Sequence, residues 1–583
     1  MREQITFTRL FLIFVLFLLQ NTQFGYNTMG LYKQYFRISQ YARNQLLGNP
    51  NRNSKDGTPL QMLISQQGKF SNSRIAVILI GVFTLAMGII LSSIPWVDYL
   101  ILKNLRLWNG SLSFQYWQKP GVTRLTKVYI FNVTNPDNFL NLGEKPRLQE
   151  IGPFVYREDM EKVNIKFHDN GTLTYQHKKI LQFVPELSVN KEQKITVPNI
   201  PLLTLSTQSN SLSYIVQRGI SLLLNVNGFK PFVTITADEL VFGYDDTLVS
   251  LAHKFYPKRK RPMSRMGLLI NRNGTLNEVH NIYTGMTGMQ DFGLLEKLNG
   301  IDRLPYWKDA PCNIIRASEG SFFPPRYYTK SDVVNVYDKD LCRTMPLQYR
   351  GPVTKHGISA DLYTPADSMF ETIANEPSNK CYCPDNEYCP PKGVQNISPC
   401  QFDAPVYLSF PHFFEADPTL IEPFEGLNPD KERHQSYFKI QSRLGVPIEG
   451  KVRLQLNLKV DQAPHVTPVA KFPTIMYPIM WLEEGIDDLT PPIRRWIYLA
   501  TTFADIACPL MTYGFIFLGT CILVGVFING YKSLVFTKET IEIGMKTLRK
   551  RSSGYIAVAR PKLIKRDTYT LLDLNDGMDE LDI

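Results

Sequence analysis

Four cysteines, Cys381, Cys383, Cys389 and Cys400, fall within one Pro-rich stretch, NKCYCPDNEYCPPKGVQNISPC, at residues 379–400. Clustered thiols bind zinc in a reducing compartment and close disulfides in an oxidising one, so their spacing alone leaves both chemistries open. Cys312 and Cys342 lie upstream, and Cys508 and Cys521 fall inside an apolar run. The eight histidines form no HxxxH or HExxH pair, and no GxSxG elbow, phosphate-binding loop or dinucleotide fingerprint occurs. His412, in FPHFF, is placed among aromatics as a base would be, but a hydrogen-bonded structural histidine is the better reading. Scattered residues could still assemble an ectoenzyme; nothing in the spacing supports catalysis, a metal or a cofactor. The basic run KFYPKRKRPMSR, from Lys254 to Arg265, has the charge density to attract anionic ligands, and the plainer reading is a solvated loop.

The compartment follows from the elements that hold these residues. Two uncharged runs of 23 residues, Ile75–Val97 and Ile506–Ile528, are each long enough to cross a hydrocarbon core of about 30 Å. Residues 1–74 hold 9 Lys/Arg against 2 Asp/Glu and residues 532–583 hold 10 against 8, so the tails carry +9 of the net +11. Basic residues flanking both spans put both ends in the cytosol, and a charge excess beside membranes argues against nucleic acid as a partner. The segment between the spans then lies outside the cytosol. All five N-x-S/T triplets, at Asn109, Asn132, Asn170, Asn273 and Asn396, are in it, as expected of glycosylation sites. Six of the eight cysteines share that segment, which favours disulfides. The expected organisation is a cytosolic extension (1–74), a transmembrane helix (75–97), a glycosylated ectodomain (98–505), a second transmembrane helix (506–528) and a cytosolic tail (529–583). Residues 10–19, LFLIFVLFLL, look like a signal peptide, but cleavage there contradicts this topology. The run reads instead as a membrane-surface anchor or part of an upstream extension, with Met29 and Met62 as alternative starts.

Between the spans the pattern is mixed. KVRLQLNLKV, at 451–460, alternates Val452, Leu454, Leu456, Leu458 and Val460 with polar residues, which predicts a strand with one buried face. KVYIFNV (127–133) and GTLTYQHKKILQFV (171–184) are strand-like, whereas SLSYIVQRGISLLLNV and DDTLVSLAHKF repeat apolar residues at helical spacing. One large α+β domain, mainly β with a helical patch, is expected.

Several strings along the ectodomain resemble the class B scavenger receptors: IFNVTNPDNF (130–139), EIGPFVYRE (150–158), ELVFGYDD (239–246), SFFPPRYYTKSDV (321–333), PVYLSFPHFFEADP (405–418) and EGLNPDKERHQSYF (425–438). The resemblance implies a barrel-like ectodomain with an apical helical bundle and a hydrophobic tunnel. It also implies disulfides Cys312–Cys381, Cys342–Cys400 and Cys383–Cys389. As to function, it implies a receptor, not an enzyme, for lipids, lipoproteins, lipid-bearing debris or anionic ligands, with onward passage of hydrophobic cargo to the membrane, and no cofactor. A trafficking receptor for a lumenal protein is the alternative. Basic residues near the apex, Arg218, Lys230 and Lys254, become candidate ligand contacts. The chain departs from some relatives in having no cysteine in either tail, which removes juxtamembrane palmitoylation sites.

The C-terminal RDTYTLLDLNDGMDELDI offers sorting signals. Asp567 precedes Leu571 and Leu572 as in an acidic dileucine signal, and YTLL at Tyr569 and YIAV at Tyr555 fit tyrosine signals read by clathrin adaptors. An unstructured acidic end is the plainer reading. Together with the topology these signals predict cycling between the plasma membrane and endosomal or lysosomal membranes.

Overall fold

The computed structural model describes residues 72–255, 264–329, 331–383 and 389–535. Two compact units divide the chain. Residues 81–521 carry all the strands, and the described part of the other unit consists of the remaining ends of two long apolar helices, 72–80 and 522–535. Those helices, Asn72–Ser93 and Ala504–Val535, are long and apolar enough to cross a membrane. The first ends at Ser93, short of the expected 97, because Pro95 lacks an amide hydrogen and restricts the residue before it; a second helix starts at Trp96. Within the larger unit the two helices touch at glycines. A Cβ on Gly519 would sit 2.6 Å from the Leu85 amide nitrogen, and one on Gly88 would sit 2.8 Å from that of Ile516.

Strands β1 (Arg124–Val133), β2 (Leu148–Phe167), β3 (Thr172–Phe183), β6 (Gly274–Tyr283) and β7 (Leu295–Leu298) form one half of a large antiparallel sheet. The other half comprises β8 (Val333–Asp338), β9 (Arg343–Lys355), β10 (Ile358–Pro365), β13 (Tyr437–Gln441), β14 (Val446–Val460) and β15 (Ile475–Ile486). The order is β7-β6-β3-β2-β1-β15-β14-β13-β10-β9-β8, with β11 (Val394–Asn396) and β12 (Val406–Ser409) attached to β14. A separate hairpin pairs β4 (Lys194–Pro198) with β5 (Phe232–Thr236). The sheet is not the closed barrel that the resemblance implied, since its edges β7 and β8 do not pair. The intervening segment bonds to both instead: Leu295 N–H donates to Ala317 O at 2.9 Å, and Tyr337 N–H to Ser318 O at 2.7 Å.

Strand β14 departs from the one-faced reading. Arg453, Gln455 and Asn457, the polar set of the alternation, are buried as well. They are covered by the chain around 407–436, and each finds partners there: Arg453 donates to Gln435 O at 2.7 Å, Gln455 Oε1 accepts from His412 N–H at 2.6 Å, and Asn457 donates to Ser409 Oγ at 3.0 Å. A polar side chain can be buried when its hydrogen bonds are made. Cysteine chemistry is resolved here too. The structure joins Cys312 to Cys381, Cys342 to Cys400 and Cys383 to Cys389, with Cα separations of 5.8, 6.5 and 5.3 Å, all within the disulfide range.

Candidate ligand-binding cavity

Helices Ile200–Ser209, Tyr214–Val226 and Thr247–Phe255 form the helical patch, and they enclose a cavity of about 660 Å³ against the sheet. Its helical wall includes Leu205, Leu224 and Leu251; its sheet wall includes Leu454, Leu456, Met480 and Leu482. The alternation in β14 that reads as a core face therefore lines an open space, and Val452 and Leu456 are only half-buried. On the outside of the patch apolar residues are exposed, Ile215 at 81% and Val226 at 77%, while Leu223, 67% exposed, also borders the cavity.

The wall changes character at one end. Arg272 and Asp340 line the apolar cavity, and Arg272 pairs with both Asp340 and Glu484. Asp340 and Glu484 also line a second, polar cavity of about 160 Å³, bounded by the β14 and β15 residues Val452 and Ile486. There Lys179 pairs with Glu158 at 2.9 Å. Burial alone would raise the Glu158 carboxyl, but Lys179 and Arg124 hold it at about 2. A third, apolar cavity of about 80 Å³ shares Ile486 with the polar one and includes Trp117 and Trp496. The described residues thus hold three neighbouring cavities, apolar, ionic and apolar, and adjacent ones share wall residues: Asp340 between the first two, and Arg124, Met160 and Ile486 between the last two.

Two further buried clusters carry charge. Lys162, fully buried, donates to Ser321 Oγ at 2.7 Å, lies 3.5 Å from Glu319 Oε1 and sits over the Trp117 ring. Burial pulls its ammonium down to about 8 against the opposing pull of Glu319. The other cluster contains His412. Asn428 N–H donates to its Nδ1 at 3.0 Å, so the neutral ring carries its proton on Nε2, which meets Glu150 Oε2 at 2.5 Å. Trp481 and Arg433 also donate to Glu150, each at 2.9 Å, and together these bonds override burial and hold the carboxyl at about 2. His434 stacks on His412 with centroids 4.5 Å apart, and its Nδ1 accepts Asp430 N–H at 2.8 Å. Glu150, His412 and His434 are close enough to hold a metal. Both rings, however, present N–H at Nε2, so a metal would have to displace those protons from rings whose Nδ1 is already an acceptor. The group is wired as a brace between β2, β15 and the 411–434 segment, in keeping with the structural reading of His412.

Arg218 and Lys254 are exposed on the helical patch and Lys230 on the loop that follows helix Tyr214–Val226, all three outside the cavity wall. Residues 256–263 of the basic run, and the sorting residues Tyr555, Asp567, Tyr569, Leu571 and Leu572, lie outside the described residues. Among the triplet asparagines, Asn109, Asn170 and Asn273 are exposed, whereas Asn132 and Asn396 are half-buried. The Asn132 side-chain oxygen accepts Thr196 N–H at 2.8 Å.

The sequence model of the CD36 family matches residues 76–529. The chain belongs to the CD36 family. Its similarity to scavenger receptor class B member 1 of Rattus norvegicus is 32% identity over 413 residues, covering 70% of this chain and 79% of that protein. Lysosome membrane protein 2 of Homo sapiens is 34% identical over 394 residues, covering 67% and 80%, and protein peste of Drosophila melanogaster is 30% identical over 423 residues, covering 71% and 75%. As a CD36-family class B scavenger receptor with two apolar terminal helices, the chain is a two-pass membrane protein. The ionic clusters inside this family member were not foreseen. One signal was available: Glu484 continues the inward alternation of Met480 and Leu482, where a charge must be paired or solvated.

Proposed function

We propose that this receptor binds lipids, lipoproteins or lipid-bearing debris, that the apolar cavity takes up a hydrophobic chain, and that cargo is then passed toward the membrane without covalent chemistry. The observation supporting this is the 660 Å³ cavity with aliphatic walls, a size and lining typical of small-ligand sites. The exposed cations Arg218, Lys230 and Lys254 add attraction for anionic particles. In this reading both termini face the cytosol and the triplet asparagines carry glycans. The tail motifs recruit clathrin adaptors, and the protein cycles between plasma membrane and endosomal or lysosomal membranes.

A second reading, a trafficking receptor for a lumenal protein, is favoured by the exposed apolar face of helix Tyr214–Val226, because such patches mark protein interfaces. Native mass spectrometry of the full-length chain separates the two. Copurified lipid supports the first reading; a stoichiometric protein with no lipid contradicts it and supports the second.

A further inference from the structure

Three residues lining the polar cavity carry buried polar atoms that no described residue satisfies. His177 Nδ1, His280 Nδ1 and the Tyr337 hydroxyl have no hydrogen-bond partner among the described residues, and their residues are 9%, 5% and 7% exposed. All three line the 160 Å³ space, with the His177 and His280 rings 5.1 Å apart and the His280 and Tyr337 rings 6.4 Å apart. Leaving such groups unpaired is costly unless something polar enters.

Their chemistry selects what enters. His177 Nε2 points at Glu319, and His280 Nε2 at Glu278, each at 3.5 Å. A neutral ring places its proton on the nitrogen facing the carboxylate, which leaves both Nδ1 atoms as bare acceptors. Burial keeps His177 neutral, drawing it down to about 4 against the pull of Glu319. The surrounding charge is also acceptor-rich. Six carboxylates, Glu158, Glu278, Glu319, Asp338, Asp340 and Glu484, line the space against three cations, Arg124, Lys179 and Lys339. Adding Arg272 and Lys162, which pair with members of this set, gives five cations and leaves one carboxylate in excess. Asp338 is already pushed up to about 6 by burial and by Asp340, so one more anion would be repelled.

We propose that the polar cavity is a head-group subsite for a neutral, hydroxyl-headed single-chain amphiphile. The chain lies in the apolar cavity and the hydroxyl reaches past Asp340, which lines both cavities, to donate to the acceptors around His280 and Tyr337. This assignment rests on the proposed uptake of a chain by the apolar cavity and adds selection by the head.

The test is equilibrium binding of radiolabelled hexadecan-1-ol, its methyl ether and hexadecanoate to the full-length chain in nanodiscs, corrected against empty discs. The alcohol is expected to bind about tenfold more tightly than the ether, which cannot donate, and more tightly than the carboxylate. Tyr337→Phe breaks no internal hydrogen bond. It is expected to weaken the alcohol several-fold and to cut its advantage over the ether, whose oxygen can accept from the phenol but cannot donate to it. Equal binding of alcohol and ether, as when only water fills the space, overturns the head-group assignment alone. So does tighter binding of the carboxylate, or an unchanged alcohol-to-ether ratio in Tyr337→Phe. Failure of all three probes to bind overturns the lipid reading beneath it.

Discussion

Strands β14 and β15 pass from one kind of interior to another within a few residues. Around Leu454, Leu456, Met480 and Leu482 the inner face borders a large aliphatic space, whereas around Val452 and Glu484 it borders paired charges. The backbone pairing is continuous, with Leu454 opposite Leu482 and Val452 opposite Glu484. Regular pairing fixes where side chains point, and chemistry one pleat further on decides whether the space admits a chain or a head. The two regions also differ in what holds them. Apolar walls lose only contacts when trimmed, but an ion pair stripped of one partner strands a charge in a low dielectric.

That contrast is broken most severely at Lys162. Lys162→Met leaves Glu319 buried without its cation, and the expected loss is about 3–5 kcal/mol, read from denaturant unfolding. Adding Glu319→Gln should recover most of it; no recovery would mean the pair is not the cause. On the apolar side, Leu456→Ala removes a side chain that already borders open space. Its cost should be about 2 kcal/mol, the low end for such truncations, because little packing remains to be lost.

The pH response sharpens the comparison. Burial draws both His177 and His434 down to about 4, from an ordinary value of 6.5. Between those values the unfolded chain takes up protons that the folded one refuses, so stability is full above 6.5 and falls as the pH drops toward 4. The slope is about 1.4 kcal/mol per pH unit for each histidine. Thermal unfolding across that window should show it. Asp338, raised to about 6, holds its proton in the folded chain where the unfolded chain has lost it, and so offsets about one histidine below pH 6; His434→Gln should lower the net slope by about 1.4 kcal/mol per pH unit, and an unchanged slope would remove that histidine from the account.

Exposed cations should matter least to stability. Arg218→Glu, Lys230→Glu and Lys254→Glu are each expected to shift unfolding by no more than about 0.5 kcal/mol. In the proposed function the triple variant weakens sedimentation with anionic vesicles, and undiminished sedimentation would take these residues out of ligand capture.

What the sequence disclosed followed periodicity. The alternation of Val452 to Val460 marked β14, and three-to-four spacing marked helices Tyr214–Val226 and Thr247–Phe255, because local pattern determines local structure. Burial on both faces of β14 was hidden, since the chain covering Gln455 and Asn457 comes from about 50 residues away. Cavities were hidden for a related reason: Leu456 has the same identity whether it meets a neighbour or an empty space. Lys162 and Glu319 are 157 positions apart and carry no local mark of pairing, so their ion pair is visible only once β2 and the 319–321 turn meet.

The most direct test of the proposed chain uptake is photocrosslinking of the full-length receptor with a diazirine-bearing hexadecanol, followed by peptide mapping. The account predicts labels on the inward residues of 454–458 and 479–482, lost when Leu456→Trp fills the cavity. Labels confined to Ile215 and Val226 on the exposed helix face, and insensitive to Leu456→Trp, would contradict it.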